Sequence, residues 1–120
     1  MDIVGNIPEK IFNILNIAPI NDKNIYFGET NINHMRTSHP NDYNKYGGEI
    51  KNILANPDYV GKNPKDDSIE FVKEYVIDNE YVKIAVRLNT VGDRYYARSL
   101  YVLNNGRVNN FIKKGTLKKV

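Results

Sequence analysis

The chain has no cysteine. Disulfide bridges and thiolate metal sites are therefore excluded, and the redox compartment is left open. No apolar run approaches the roughly 18 residues of a membrane span, and the N-terminus lacks the basic start and apolar core of a secretory signal. A soluble mature chain is expected. Tryptophan is absent while tyrosine occurs nine times. Histidine is scarce too: both copies, His34 and His39, fall within "INHMRTSHPND", Ile32 to Asp42, with Arg36 between them. Acids are nearly missing from the last third, where Lys83 to Val120 carries nine Lys/Arg against Asp93 alone. Net charge is +3 and the pI about 9.0, which suits a polyanionic partner without requiring one.

What is present reads as one domain, 1–120, with ordinary hydrophobic and charged content. "PEKIFNILN", Pro8 to Asn16, spaces Ile11, Ile14 and Leu15 as a short amphipathic helix. "NIYFG", Asn24 to Gly28, reads as a strand. The histidine segment follows as a helical turn or two that Pro40 ends at His39. A further helix from Asp42 carries Tyr43, Tyr46, Ile50, Ile53 and Leu54, weakened at Gly47-Gly48 and stopped by Asn56-Pro57. "PDYVGKNPKDD" reads as a loop. Beyond it the period is two: "SIEFVKEYVID", "YVKIAVRLN", "YYARSLYVLN" and "RVNNFIKK" are four strand candidates joined by short turns. The fold class expected is α+β, N-terminal helices followed by a four-stranded antiparallel sheet.

Pairing these strands about their turns sets Ile77 against Tyr81, Leu88 against Tyr96 and Leu103 against Arg107. One face then holds Val72, Val76, Val82, Ile84, Val86, Leu88, Leu100, Val102, Val108 and Ile112 as core. The other collects Lys73, Tyr75, Lys83, Arg87, Ser99, Tyr101, Asn109 and Lys113. That face suits phosphate contact and base stacking, or is an ordinary solvated face. Arg98 points into the core in this register, a costly place for a guanidinium; a bulge or a one-residue slip must turn it out.

Two histidines beside an arginine fit general acid–base cleavage of RNA. Neutral imidazole deprotonates a ribose 2′-hydroxyl, a second acid protonates the leaving 5′-oxygen, and a cation stabilises the phosphorane. The nucleophile is internal, so neither metal nor cofactor is required. Histidines at i and i+5 do not share a helix face for metal binding, and no nucleophile elbow is present.

The ordered set "HMRTSHP", "YGGEIKNILANPDYVG", "SIEFVKEY", "YVKIAVRLN" and "ARSLYVLNNGRV" resembles the phage-associated barnase/EndoU/colicin/RelE-like nuclease families over Ile25 to Phe111. The resemblance implies a toxin-like, metal-independent ribonuclease of phage or mobile-element origin, often directed at tRNA and acting in the cytoplasm of a bacterial host or target cell. It marks His34, His39, Lys83, Arg87, Arg98, Ser99 and Tyr101; the site reading takes His34, His39, Arg98 and Ser99 as catalytic and Arg36, Lys83, Arg87 and Tyr101 as RNA-binding, with no metal and no cofactor. RNA and a cognate immunity or inhibitor protein are the partners expected. The barnase branch uses a glutamate base; none falls in the late strands here, which shifts proton transfer to histidine or lysine. Two rivals stay open: a non-catalytic nuclease-like module that binds RNA or a protein as a phage counter-defence factor, and an assembly protein using its tyrosines as an interface.

Overall fold

Alternation in the second half of the chain builds the centre of a sheet. In the computed structural model, which describes residues 1–120, β4 (Ile69–Tyr75), β5 (Glu80–Leu88) and β6 (Tyr95–Leu103) form an antiparallel meander. Four shorter strands extend it: β1 (Asp2–Asn6), β2 (Asn24–Phe27), β3 (Tyr59–Lys62) and β7 (Leu117–Lys119). The order is β1-β2-β6-β5-β4-β3-β7. The α+β class stands, but the four-stranded antiparallel expectation is corrected: the sheet has seven strands, and β2 runs parallel to β6.

Two misread segments account for part of the difference. "YVGK" sits among Pro57, Pro64 and acids, so it resembles a loop, yet it pairs on both sides as β3. "RVNNFIKK" is not a strand but most of helix α5 (Asn105–Lys114). Its apolar residues, Val108, Phe111 and Ile112, fall at i, i+3 and i+4. The Asn104 side chain caps it by accepting from the Arg107 N–H at 3.2 Å, and Gly115 ends it at φ 77°.

Helices form where the sequence reading set them, but they do not simply precede the sheet: β1 comes before the first of them, β2 follows it, and the helix expected from Asp42 is split in two. These helices are α1 (Glu9–Leu15), α2 (Glu29–Ser38), α3 (Pro40–Tyr46) and α4 (Ile50–Ala55), with a 3₁₀ turn over Gly47–Glu49 where the paired glycines weaken the α-helix. Pro40 ends α2 as expected and itself starts α3. Together these helices cover one sheet face, where Met35, Ile50, Ile53 and Leu54 pack on Val60, Ile69, Phe71, Val82, Ile84, Val86 and Leu100. Helix α5 packs on the other face, closing Val108 and Leu117 over Val72.

Register decides which side chains share that second face. β4 and β5 pair Tyr75 with Glu80 and Ile69 with Val86, not Ile77 with Tyr81. The shift is odd, so β4 turns over relative to expectation. Val72 is buried, but under α5 rather than in the main core, while Val76 and Ile77 are exposed at the hairpin tip. Lys73 and Tyr75 leave the cationic face, and Asn109 and Lys113 go with α5. Between β5 and β6 the expected pairing holds from Tyr81–Leu103 to Ala85–Ser99. It then slips, since Val86 pairs with Ala97 and Leu88 with Tyr95. The residue left unpaired is Arg98. A β-bulge turns it out to solvent, which avoids burying its charge.

Candidate functional site

The second face, beyond the part α5 covers, carries four predicted site residues in register. Lys83 stands opposite Tyr101, Ala85 opposite Ser99, and Arg87 opposite Tyr96. Glu70, on β4 opposite Ala85, joins them. It was missed because only the observed register brings its side of β4 to this face. The Lys83 Nζ donates to Glu70 Oε2 at 2.6 Å, and both side chains are nearly buried, 10% and 13% exposed. Burial alone would push the Lys83 ammonium down. The Glu70 carboxylate and the Tyr101 oxygen outweigh it, and the net shift is upward. Lys83 therefore stays charged at neutral pH and acts as a fixed cation, not a base.

Both histidines reach this region along one seam. β2 pairs with β6 only at Tyr95 and Tyr96. The chain then turns at Gly28, whose N–H is accepted by Asn31 Oδ1 at 2.9 Å, and runs on as α2 beside the uncovered edge of β6. His34 thus lines a cleft of about 580 Å³ with Arg98, Tyr96, Asn31 and Asn89. One helical turn further, the His39 ring stacks on Tyr101 at 4.8 Å between centroids and 28° between planes. The seam closes where Asp42 Oδ2 accepts the Val102 N–H at 3.0 Å, satisfying a strand edge. Along the α2 axis the two histidine α-carbons are about 7.5 Å apart, at 1.5 Å rise per residue. Ser99, half-buried, lies on β6 between the Arg98 and Tyr101 positions.

Tyr101 stands between His39 and Lys83, whose Nζ is 4.6 Å from the same ring. β5 lies on one side of β6 and the α2–α3 corner on the other. Arg87 is exposed. It and Lys83 help hold the Asp66 carboxylate below its usual range, after the larger contributions of the Ser68 hydroxyl and backbone. Arg36 is also exposed, but its guanidinium lies 5.6 Å from the Tyr43 ring, away from the Lys83–Tyr101 pair. No three His, Asp or Glu side chains converge as metal ligands.

A second concavity adjoins this one. A cavity of about 720 Å³ opens between α5 and the sheet, lined by Glu70, Lys83, Tyr101, Arg107, Phe111 and Lys114 among others. Neither histidine lines it.

Residues 2–110 match the family described as phage-Barnase-EndoU-ColicinE5/D-RelE like nuclease3. The chain belongs to that family. The match takes in every element from β1 to β6 and the first half of α5, and with them both histidines, Glu70, Lys83, Arg87, Arg98, Ser99 and Tyr101. No curated protein and no solved structure matches the chain. Family membership makes the chain a phage nuclease-like protein. No helix here is long and apolar enough to cross a membrane.

Proposed function

We propose that this nuclease-family protein cleaves single-stranded RNA, including exposed tRNA loops, at a phosphate lying along the α2–β6 seam. The observation that carries the reading is the seam itself. His34 beside Arg98 and His39 on Tyr101 flank the Ser99 position, with the Lys83 cation behind Tyr101. One imidazole takes the proton of the ribose 2′-hydroxyl. The 2′-oxygen attacks phosphorus, and the 5′-oxygen leaves with a proton from the other imidazole, giving a 2′,3′-cyclic phosphate and a 5′-hydroxyl. Arg98 faces the charge that develops on the phosphorane, while Lys83 supports the Tyr101 ring from behind. Ser99 orients the phosphate, and Arg87 and Arg36 bind the flanking backbone. Tyr101 acts as a partition that fixes the His39 ring. Glu70, held by Lys83 at 2.6 Å, keeps that ammonium in place. The internal nucleophile makes a metal unnecessary.

The test is incubation of the purified protein with total tRNA in EDTA, wild type beside His34→Ala and His39→Ala. Cleavage should persist in EDTA and leave cyclic or 3′-phosphate ends. Each alanine variant should cut about 10²-fold more slowly or worse with little change in RNA affinity. Activity lost on chelation and restored by a divalent ion would overturn the mechanism. RNA binding without cleavage would favour the non-catalytic module instead.

A further inference from the structure

The cavity under α5 takes no part in the cleavage reading, yet its construction is specific. Helix α5 is anchored through Val108 on Val72. From the sheet, Glu70, Lys83, Tyr101 and Leu103 line it, and Gly61, the neighbour of Glu70 on β3, lies under the α5–β7 connection. At Gly61 an added Cβ would lie 2.7 Å from the Thr116 carbonyl oxygen. Glycine there lets the α5–β7 connection, whose Thr116 and Leu117 line the cavity, close down as a wall. The resulting space, about 720 Å³, is within the range that encloses a small organic ligand.

Its lining is strongly unbalanced. Lys65, Lys83, Arg107 and Lys114 face it, against the single carboxylate of Glu70. That carboxylate is already neutralised by Lys83. Arg107, Lys114 and Lys65 form no ion pair; the pairs in the protein are made by Lys45, Lys62 and Lys83. The half-buried Phe111 and the Tyr101 ring supply apolar wall, and Asn63 and Asn104 supply amides at its edge. A ligand that fits must carry an anionic end, a flat apolar body and hydrogen-bonding edges.

We infer that this cavity is a nucleotide-binding site, taking a phosphate on Arg107, Lys114 and Lys65 and a nucleobase against Phe111. It lies on the Lys83 side of Tyr101, and the histidines lie on the other, so it does not itself cleave. Resting in part on the proposed RNA cleavage, the site seats the nucleotide that flanks the cut phosphate; a free nucleotide would use the same contacts.

The experiment titrates adenosine and guanosine 5′-monophosphate, inorganic phosphate, and a short uncleavable 2′-methoxy RNA into the protein of residues 1–120, followed by NMR shifts and calorimetry. The variants are Arg107→Ala, Lys114→Ala, their double, and Lys113→Ala as the α5 cation that does not line the cavity. The double variant should weaken nucleotide or RNA binding about 10-fold or more, with Lys113→Ala unchanged and thermal midpoints close to wild type. Weakening confined to RNA assigns the site to the strand, and weakening confined to monophosphates assigns it to a free nucleotide. Either supports the cavity. Unchanged affinity for both, or phosphate binding as tight as nucleotide binding, overturns it. If the wild type cuts no RNA while these arms hold, the cleavage reading falls and the cavity stands.

Discussion

Replacing Glu70 with glutamine removes the charge that balances a nearly buried ammonium. Lys83 is 8% exposed overall, and its Nζ depends on Glu70 Oε2 at 2.6 Å. Breaking a buried pair by removing one partner costs about 3–5 kcal/mol. The Tyr101 ring at 4.6 Å and the water of the adjoining cavity return part of this, so the lower end applies, about 3 kcal/mol. For a chain of this size about 4 °C of melting temperature follows each kcal/mol, so Glu70→Gln should melt roughly 12 °C lower. Lys83→Met should cost less, because the stranded carboxylate can take up a proton.

The double variant Glu70→Gln/Lys83→Met leaves no unpaired charge and should be more stable than the sum of the singles implies, by about 2 kcal/mol. Urea unfolding followed by circular dichroism measures all four corners. The pair also has a pH signature. Folded Lys83 titrates above its ordinary value of 10.5, so its contribution is complete below that pH and is lost as pH rises through the folded value. The gap between wild type and Glu70→Gln should therefore narrow in strong alkali. Single costs that simply add, within about 0.5 kcal/mol, would refute the claim that these residues act as one unit.

Burial, followed by the Glu49 hydrogen bond, pushes the Tyr75 hydroxyl up to about 12. Its neutral form stabilises the fold below pH 10 and that stability is lost as pH rises toward 12; an absorbance titration should show late tyrosinate formation, advanced by Glu49→Gln. RNA affinity should fall with salt, and Arg87→Ala should reduce the slope by about 0.7, one phosphate for a single strand; an unchanged slope would make Arg87 plain solvated surface. Gly61→Ala should cost about 1–3 kcal/mol by forcing the β7 connection off β3, seen as a lowered midpoint together with weaker nucleotide binding.

Much of the fold was legible because its signals were long and periodic. The three meander strands alternate over seven to nine residues, and Pro40, Gly47-Gly48 and Asn56-Pro57 punctuate the helices where the chain bends. Short edge strands give no such signal. β7 has three residues and β3 four, and both owe their pairing to neighbours rather than to pattern. In "RVNNFIKK" an apolar pattern compatible with two periods concealed a helix whose cap, Asn104, and stop, Gly115, were already in the sequence. Glu70 was hidden for a related reason. A side chain can be assigned to a face only when register is known, and register depends on a hairpin whose tip, Val76 to Asn79, carries no decisive turn motif.

Arg98 shows how one local conflict can specify a site. A regular strand from Tyr95 to Leu103 would drive this guanidinium into the core between Ala97 and Leu100, a burial costing several kcal/mol without a partner. The chain resolves the conflict by leaving Arg98 unpaired. Every residue of β6 after the bulge then keeps the register that puts Ser99 and Tyr101 beside Ala85 and Lys83. Every residue before it shifts, putting Tyr96 beside Arg87. The same extra residue carries Arg98 to the edge where α2 presents His34. The feature that frustrates a regular strand is thus what assembles cation, imidazole and hydroxyl along one seam. Deleting Arg98 should remove the bulge, dissolve the His34 cleft and abolish cleavage, while Arg98→Ala, in which Tyr95 and Ala97 still anchor the shifted register in the core, should keep the bulge and the fold and lose only phosphate affinity and rate. Equal behaviour of the deletion and the alanine variant would mean that the bulge does not organise the site.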